Sequence, residues 1–328
     1  ANAVPHYLIK LEALRDGTKQ VDADLKECLK MKLPIKAIRF HGVLGLTVEN
    51  LHQLKDLQPI NFVDLSSSDI KDDGIAELVT QPWAKGIREL RANHTKITDE
   101  AFRSLANLPG LDILHVSDCQ QINGKGFKYL KHSSIGNLVV SITPVTDEAV
   151  DDIADFKNLW GLWIRHSPVT EKGIAKLAEA KREGKLSKLY MVHFGCGNHI
   201  TDAAIEDLIT LYGGKWVTMQ TTSVTNAGLK MVATKHSDLK GINLGECKIN
   251  DSGLAVLDLF PNLEWLTLQW GHENFTDAGL EHVAKCKSLM AVDLRATKVT
   301  EAGVRKLAAA LPKCHIDWDG GAINPTKQ

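Results

Sequence analysis

The sequence predicts an α/β fold, a solenoid of stacked repeats in which each repeat is one strand and one helix. In one stretch, Leu239 to Leu257, the apolar spacing changes from steps of two to steps of three. Such a change is typical of a short strand followed by a helix. Similar stretches recur along the chain at a period of about 25 residues, which indicates stacked repeats. One strand and one helix cannot bury their apolar side alone, so each copy needs neighbours on both sides.

The repeats align on the strand of this stretch, which carries Leu239, Ile242 and Leu244, while its helix carries Leu254 and Leu257. Eleven repeats begin near Ile35, Ile60, Ile87, Leu111, Ile135, Leu159, Leu186, Gly214, Leu239, Leu263 and Leu289. The apolar anchors that follow the strands are 23 to 27 residues apart, except for one interval of 31 residues. The longer interval indicates an insertion in a loop, where extra length costs little free energy of folding.

The ends of the chain depart from the repeat. In residues 1–34, Leu8, Leu11 and Leu14 are helix-spaced, so we expect an N-terminal helical cap. Repeats then fill residues 35–312. Residues 313–328 are expected to form a capping strand, KCHIDW, and a frayed tail. No linker composition interrupts the pattern, so the sequence predicts one continuous solenoid domain.

Six of the anchors are followed by Thr and then a carboxylate. The pairs are Thr98-Asp99, Thr146-Asp147, Thr170-Glu171, Thr201-Asp202, Thr276-Asp277 and Thr300-Glu301. A Thr hydroxyl accepts a hydrogen bond from an unpaired N–H at a helix start, and a carboxylate complements the positive end of the helix. A row of acidic metal ligands is the weaker interpretation, because capping explains every pair.

Composition limits the function classes. The chain has 328 residues, 44% hydrophobic and 24% charged, with a formal charge of −1, which is typical of a soluble globular protein. We find no signal peptide and no apolar run long enough for membrane insertion. The near-neutral charge argues against nucleic acid as a partner, since binders of nucleic acid carry a basic stripe. Ala1 stands where Met is expected, so a preceding segment has been removed, and both a cytoplasmic and an exported protein fit.

The repeat resembles a known family. Written as LxxLxLxxCxIxDxGLxxL, its Cys or Thr position and TDxGL turn are similar to the cysteine-containing class of leucine-rich repeats, found in F-box proteins and many bacterial proteins. The resemblance covers about residues 35–312. It implies a right-handed leucine-rich-repeat solenoid (horseshoe), with parallel strands on the concave face and helices on the convex face, but no activity. Three cysteines, Cys119, Cys196 and Cys247, fall near the turn after a strand, and we interpret them as structural thiols.

The pattern also predicts which residues face outward, since the leucines of LxxLxL point into the core. The first five repeats present mainly polar groups: Arg39, His41, Asp64, Arg88, Arg91, His94, Asp112, His115 and Asp118, with Phe62 as an exception. The later repeats present a partner-binding set: Trp160, Trp163, Arg165, His166, Tyr190, His193, Trp216, Trp265 and Trp270. Five of the seven Trp residues belong to this set.

Exposed aromatic groups mark binding sites, and Trp, Tyr and Arg dominate binding hot spots. We therefore predict a non-catalytic recognition protein that binds a macromolecule, foremost a protein, through the concave face. Carbohydrate binding by the same rings is the alternative, because flat rings suit sugars equally well. A third interpretation is that neighbouring rings stack and merely shield the sheet.

The sequence offers little for catalysis or metal binding. The pattern places His166 and His193 at equivalent positions of adjacent strands, but a metal site needs three or four ligands and no third is near. His94 and Asp118 fit an orienting pair, without a Ser or Cys nucleophile between them. No cofactor or nucleophile motif occurs. We expect no enzyme, no metal and no cofactor.

Overall fold

The chain forms two compact units, which are described separately. The computed structural model describes residues 7–10, 26, 29–30, 34–44, 46–194 and 200–325, and for residues 7–10 the backbone alone. Unit 1 comprises residues 1–169 and 180–193, and unit 2 comprises residues 170–179 and 194–328.

Unit 1 contains a sheet of eight parallel strands in chain order. The strands are β1 Tyr7–Lys10, β2 Ile35–Arg39, β3 Phe62–Asp64, β4 Glu89–Arg91, β5 Ile113–His115, β6 Asn137–Val139, β7 Gly161–Trp163 and β8 Met191–His193. The connecting α-helices are Val48–His52, Asp72–Thr80, Ala101–Leu105 and Val150–Ile153, with 3₁₀ turns at Pro82–Gly86 and Phe127–Leu130. The helix Glu171–Arg182 contributes residues to both units.

Unit 2 contains a sheet of six strands, also in chain order. The strands are β9 Trp216–Thr218, β10 Gly241–Asn243, β11 Trp265–Thr267, β12 Ala291–Asp293, β13 His315–Trp318 and β14 Gly321–Ile323. All neighbours pair in parallel except β14, which is antiparallel to β13. The α-helices are Ile205–Leu211, Asn226–Lys235, Asp277–Val283 and Glu301–Ala310, with 3₁₀ segments at Asp202–Ala204 and Asp251–Leu259.

The inner side of each sheet is one apolar ladder, as the LxxLxL pattern predicts. The middle residues of the ten three-residue parallel strands are at most 3% exposed: Val63, Leu90, Leu114, Leu138, Leu162, Val192, Val217, Ile242, Leu266 and Val292. Burying one such side chain contributes about 1.5–3 kcal/mol to the stability of the folded state. In unit 1, Phe127 continues the core below the sheet and packs against Phe102 and Phe156, with ring centroids 5.3 and 6.4 Å apart.

A small hydroxyl or thiol after the strand ties the turn to the carbonyl three residues earlier. Thr95 donates to Ala92 O at 2.8 Å, and the Cys247 thiol donates to Leu244 O at 2.9 Å. Burial raises the pKa of Cys247 to about 11, so its thiol stays protonated and unreactive. Cys119 is also buried. The structural role predicted for these two thiols is confirmed, whereas Cys196 lies outside the described residues.

Not every predicted threonine cap is present: the helices Ala101–Leu105 and Val150–Ile153 have Glu100 and Ala149 at their N-caps, without a side-chain capping bond. Thr201, Thr276 and Thr300 each accept a hydrogen bond from a backbone N–H of the first turn. The carboxylate also links consecutive repeats, which the capping argument did not predict. Asp251 accepts from the N–H and the hydroxyl of Thr276, at 2.9 and 2.6 Å, one repeat further along the chain. Asp277 bonds Thr300 in the same way, at 2.8 and 2.6 Å.

The chain leaves each sheet through a residue in the left-handed backbone region. These residues lie three positions past the strand end: Ser67, His94, Asp118, Ile142, His166, Thr221, Glu246, Trp270 and Ala296. The conformation places an N–H against the next repeat; Trp270 N, for example, donates to Arg295 O at 3.0 Å. An L-residue pays about 1–2 kcal/mol for this conformation. The equivalent residue after β2 is Gly42, with φ of 73°, but none of these nine is glycine, so residue type alone does not signal the turn.

Two predictions about the chain ends are wrong. Tyr7–Lys10, expected within a helix, forms strand β1 and pairs in parallel with β2. Gly321–Ile323, expected in the frayed tail, forms β14 on the edge of β13. Both strands satisfy backbone groups at the end of a sheet, where open edges are unfavourable. The segment KCHIDW contains strand β13, although β14 and not β13 lies at the end of the sheet. The division into a cap and eleven repeats in one continuous domain remains a prediction.

The carboxylate link between repeats is expected to stabilise the fold. Asp251→Ala removes both acceptors for Thr276, so we expect the free energy of unfolding to fall by about 1–2 kcal/mol, since hydrogen bonds to a charged group are strong. Urea denaturation followed by circular dichroism measures the change. Asp258→Ala, an exposed carboxylate on the same 3₁₀ segment, is the control. Equal losses in the two variants would contradict the link.

The left-handed turn predicts a stabilising substitution. Ile142 is β-branched, 47% exposed and has φ of 59°. Ile142→Asn should raise the free energy of unfolding by about 0.5–1 kcal/mol, because Asn tolerates this conformation far better than Ile. The same denaturation experiment on Met290→Asn, an exposed residue with an ordinary φ, separates the backbone effect from the change of side chain. A loss of stability in Ile142→Asn would disprove the argument.

Candidate functional site

The candidate site lies on the outer face of each sheet. We define this face by three positions: the first and third residues of each three-residue strand and the residue two past its end. Parallel pairing aligns equivalent positions of neighbouring repeats. Trp163, for example, pairs with His193 across β7 and β8, and Gly241 pairs with both Trp216 and Trp265.

The structure distributes the predicted partner-binding residues over several positions rather than one ladder. Trp163, His193, Trp216, Trp265 and Arg165 occupy outer-face positions. Trp160 and Tyr190 precede their strands, whereas His166 and Trp270 are left-handed residues beyond the strand ends. The strand pattern correctly separated inner from outer residues. It did not distinguish outer residues on a strand from those that precede the strand or lie beyond its end.

One predicted equivalence is wrong. His166 and His193 do not occupy equivalent positions on adjacent strands, because Trp163 is the register partner of His193. His166 lies three residues past the end of β7, in the left-handed turn. Within the described parts of the chain, no group of three or more His, Cys, Asp or Glu side chains is arranged to hold a metal ion.

In unit 1 the aromatic residues form two stacked pairs, which we call the unit 1 aromatic cluster. Trp163 stacks on His193 with ring centroids 3.7 Å apart and an interplanar angle of 17°. Trp160 stacks on Tyr190 at 6.0 Å and 19°. Gly136 provides the space for Trp160, because a Cβ at Gly136 would lie 2.4 Å from the indole nitrogen. The rings are therefore held in place by their neighbours and by a glycine.

The electrostatics of this cluster are cationic. Burial lowers the pKa of His193, and the charge of Arg165 lowers it further. The described outer positions of β6 to β8 are Asn137, Val139, Ser141, Gly161, Trp163, Arg165, Met191 and His193. None of these residues is acidic.

In unit 2 two tryptophans meet across an intervening strand, and we call them the unit 2 tryptophan pair. The ring centroids of Trp216 and Trp265 are 4.7 Å apart, with an interplanar angle of 32°. Gly241 lies between them, and a Cβ there would come within 2.0 Å of Trp216 Cε3. The absence of a side chain at Gly241 is what allows the contact. Trp270 packs instead near His272, at 6.4 Å.

The outer positions around the unit 2 tryptophan pair carry no charge, whereas the residues directly before these strands include the ion pair of Lys240 and Glu264, at 2.7 Å. The other outer positions of β9 to β11 are Thr218, Gln220, Asn243, Gly245, Thr267 and Gln269. Asn243 donates to Gln220 at 3.3 Å, so amide side chains form a connected row beside the rings. Such groups both donate and accept hydrogen bonds.

The polar region predicted for the first repeats is a network of ion pairs. The Arg39 and Arg91 guanidinium groups lie 5.8 and 5.3 Å from the centre of the Phe62 ring. Arg91 also pairs with Glu89 at 2.6 Å, and Arg39 with buried Asp64 at 3.3 Å. The exception noted in the sequence, Phe62, is therefore the ring between two cations.

The predicted orienting pair is present, with His94 Nδ1 and an Asp118 oxygen 2.7 Å apart. Hydrogen bonds from His94 and Gln120 lower the pKa of Asp118. The pair lines a cavity of about 390 Å³. The nearby Cys119 thiol donates to Ala92 O, and burial raises its pKa, so it is not an activated nucleophile.

Sequence reasoning missed a groove in the helical layer of unit 2. It has a volume of about 360 Å³ and lies between the helices Asp277–Val283 and Glu301–Ala310. Lys306 pairs with Glu281 there at 2.9 Å. The positions that line the groove include Gly303 and Ala284. The small size of these two residues was the feature of the sequence that could have indicated the groove.

Comparison with known proteins identifies the fold. No protein-family model matches the chain. An internalin (InlF) from Listeria monocytogenes matches with a TM-score of 0.52 and 16% sequence identity, over 91% of this chain and 88% of the internalin. The complex of Rad7 and Elc1 from yeast matches with a TM-score of 0.48 and 12% identity, over 87% and 85% of the two chains.

The match to the internalin, a leucine-rich-repeat protein, and the parallel strand–helix units together define the class. The protein has an α/β leucine-rich-repeat fold, and the predicted fold class is confirmed. Among the helices that the structure describes, none is both long enough and apolar enough to cross a bilayer.

The glycine between the two tryptophans gives a direct test of the unit 2 geometry. Gly241→Ala places a methyl group where the Trp216 ring lies, so we expect the contact between Trp216 and Trp265 to break. Near-UV circular dichroism should lose the signal of the coupled indoles, and stability should fall by about 0.5–1.5 kcal/mol, the value of an aromatic pair. Asn243→Ala, on the same strand, should leave the spectrum intact. An unchanged spectrum in Gly241→Ala would refute the arrangement.

Proposed function

We propose that this protein is a non-catalytic recognition protein that binds a partner protein through the outer face of its sheets. The observation that carries the proposal is the pairing of the aromatic rings. Trp163 with His193, and Trp216 with Trp265, are held by neighbouring rings and by the space at Gly241. A surface that is ordered before binding loses less conformational entropy when a partner arrives.

Exposure distinguishes binding from shielding. Rings that served only to cover the sheet would be buried by their stacking. Tyr190 is instead 58% exposed, and Trp216 and Trp270 are each 44% exposed. Large exposed aromatic side chains of this kind are typical of interaction surfaces. This supports a binding role for the nine residues predicted from the sequence.

Glycan binding by unit 2 is a second candidate. It is favoured by one observation: the unit 2 tryptophan pair lies beside uncharged amide and hydroxyl groups, among them Gln220, Asn243 and Thr267. Aromatic rings offer an apolar platform to a sugar ring, and amides satisfy its hydroxyl groups. The unit 1 aromatic cluster, which lies beside Arg165, lacks such a row.

A catalytic role receives less support. The His94–Asp118 pair has no activated nucleophile beside it, because the thiol of Cys119 is buried and its pKa is raised. Both groups of rings are suited to contact rather than to proton transfer.

We also assign the repeats to the cysteine-containing class, on the basis of the Cys247 and Thr95 hydrogen bonds to the preceding turn.

The proposal is tested by capture of a partner with paired variants. Trp160→Ala/Trp163→Ala removes rings from unit 1, and Trp216→Ala/Trp265→Ala removes rings from unit 2. We expect at least one variant to weaken binding of the captured protein about tenfold or more, because central aromatic groups carry most interface energy. Isothermal titration with the purified partner measures the affinity.

The control is Tyr129→Ala, which removes a half-buried ring from the helical layer, where it lies 4.3 Å from the Arg103 guanidinium. Equal affinity in all three variants would reject the outer face as the binding surface. Quenching of tryptophan fluorescence by oligosaccharides, lost in Trp216→Ala/Trp265→Ala, would establish the glycan alternative instead.

A further inference from the structure

The clearest unexplained group on the outer face is the side chain of Arg165. It is half-buried, on the outer face of unit 1 just beyond Trp163 and His193. No hydrogen bond or ion pair of its guanidinium group is found among the residues that the structure describes. Among the described residues, the positive charge of Arg165 changes the pKa of one titratable neighbour, His193, which it lowers. A half-buried cation without a counter-charge is unfavourable.

The other arginines of the outer face are neutralised within their own sheet. The pairs are Arg39–Asp64, Arg91–Glu89 and Arg295–Asp293, with nitrogen–oxygen distances of 3.3, 2.6 and 2.6 Å. Each carboxylate lies on the same strand as its arginine or on the next one. Arg165 lacks this arrangement, because the described outer positions of β6 to β8 contain no acidic residue.

His115 and His193 differ in the charged groups that act on their pKa values. Burial is the largest cause of the lowered pKa at both residues. His115 lies beside Arg91, which lowers its pKa, but Glu89 and Asp64 act in the opposite direction. At His193 no carboxylate offsets Arg165. The charge of Arg165 beside Trp163 and His193 is therefore not offset by a carboxylate, although Asp112 lies near Trp160 on the far side of the cluster. The arginines of the first repeats are offset.

We propose that the partner presents an acidic segment to unit 1, in which an Asp or Glu carboxylate pairs with Arg165 while an adjacent apolar side chain packs against Trp163. This inference rests on the proposed function and names the chemistry of its partner. The argument is charge complementarity: an arginine fork recognises a carboxylate through two parallel hydrogen bonds, and the flanking aromatic rings exclude water from them.

A polypeptide fits this surface better than a nucleic acid does. Bases bind to proteins by stacking on free ring faces beside a row of cations. Arg165 is a single cation rather than part of a row that follows a phosphate backbone.

The test is a selection of short random peptides, displayed on phage, against the immobilised full-length protein. We expect the enriched peptides to carry Asp or Glu next to an apolar residue. Fluorescence anisotropy of these peptides should show a loss of affinity of about tenfold or more in Arg165→Gln, since the interaction is charge-assisted. Arg165→Lys should retain part of the affinity.

Arg295→Gln is the matched control, because this arginine already pairs with Asp293. It should leave peptide affinity unchanged, and circular dichroism should show that all variants are folded. Enrichment of neutral or basic peptides, or acidic peptides that bind Arg165→Gln as well as the wild type, would overturn the inference but leave the proposed function standing. Tighter, Arg165-dependent binding of oligothymidine would also overturn it. A selection that enriches nothing relative to Trp160→Ala/Trp163→Ala would count against both proposals.

Discussion

Parallel hydrogen bonding between successive strands is the constraint on which the rest of each unit depends. It places equivalent residues of neighbouring repeats about 4.8 Å apart, so one position of the repeat becomes one continuous row. The buried row of Leu90, Leu114 and Leu138 is one result, and the pairing of Trp163 with His193 is another. Stability in such a protein is approximately a sum of repeats and the interfaces between neighbours.

Side chains strengthen the same interfaces at the helix starts and turns. The Asp251 carboxylate fixes Thr276 of the next repeat, and Thr276 in turn caps its own helix. Several of the left-handed residues after the strands add one more backbone hydrogen bond between repeats, such as Thr221 N to Gly245 O at 3.0 Å. The contact between repeats offsets the conformational cost. Because these interactions fix the backbone, the outer residues are free to vary for recognition.

The candidate site was visible in the sequence only as a set of residue types. Alternation in the strand correctly placed Trp163, Trp216 and Trp265 outside, because inward and outward residues alternate along a strand. It did not show that Trp216 meets Trp265 over Gly241, because this contact joins residues from different repeats. It also paired His166 with the wrong residue, since the strand ends at Trp163 and the chain then turns.

The sequence alone determined the fold class, the inner ladder and several helix caps, because each depends on local spacing repeated many times. The tertiary structure decided the pairing of the rings, the uncompensated charge of Arg165 and the edge strands Tyr7–Lys10 and Gly321–Ile323. These features depend on the register between distant segments and on the space that a neighbour leaves. A periodic pattern indicates which side of the sheet a residue faces, whereas the packing of the whole sheet determines which side chain it contacts.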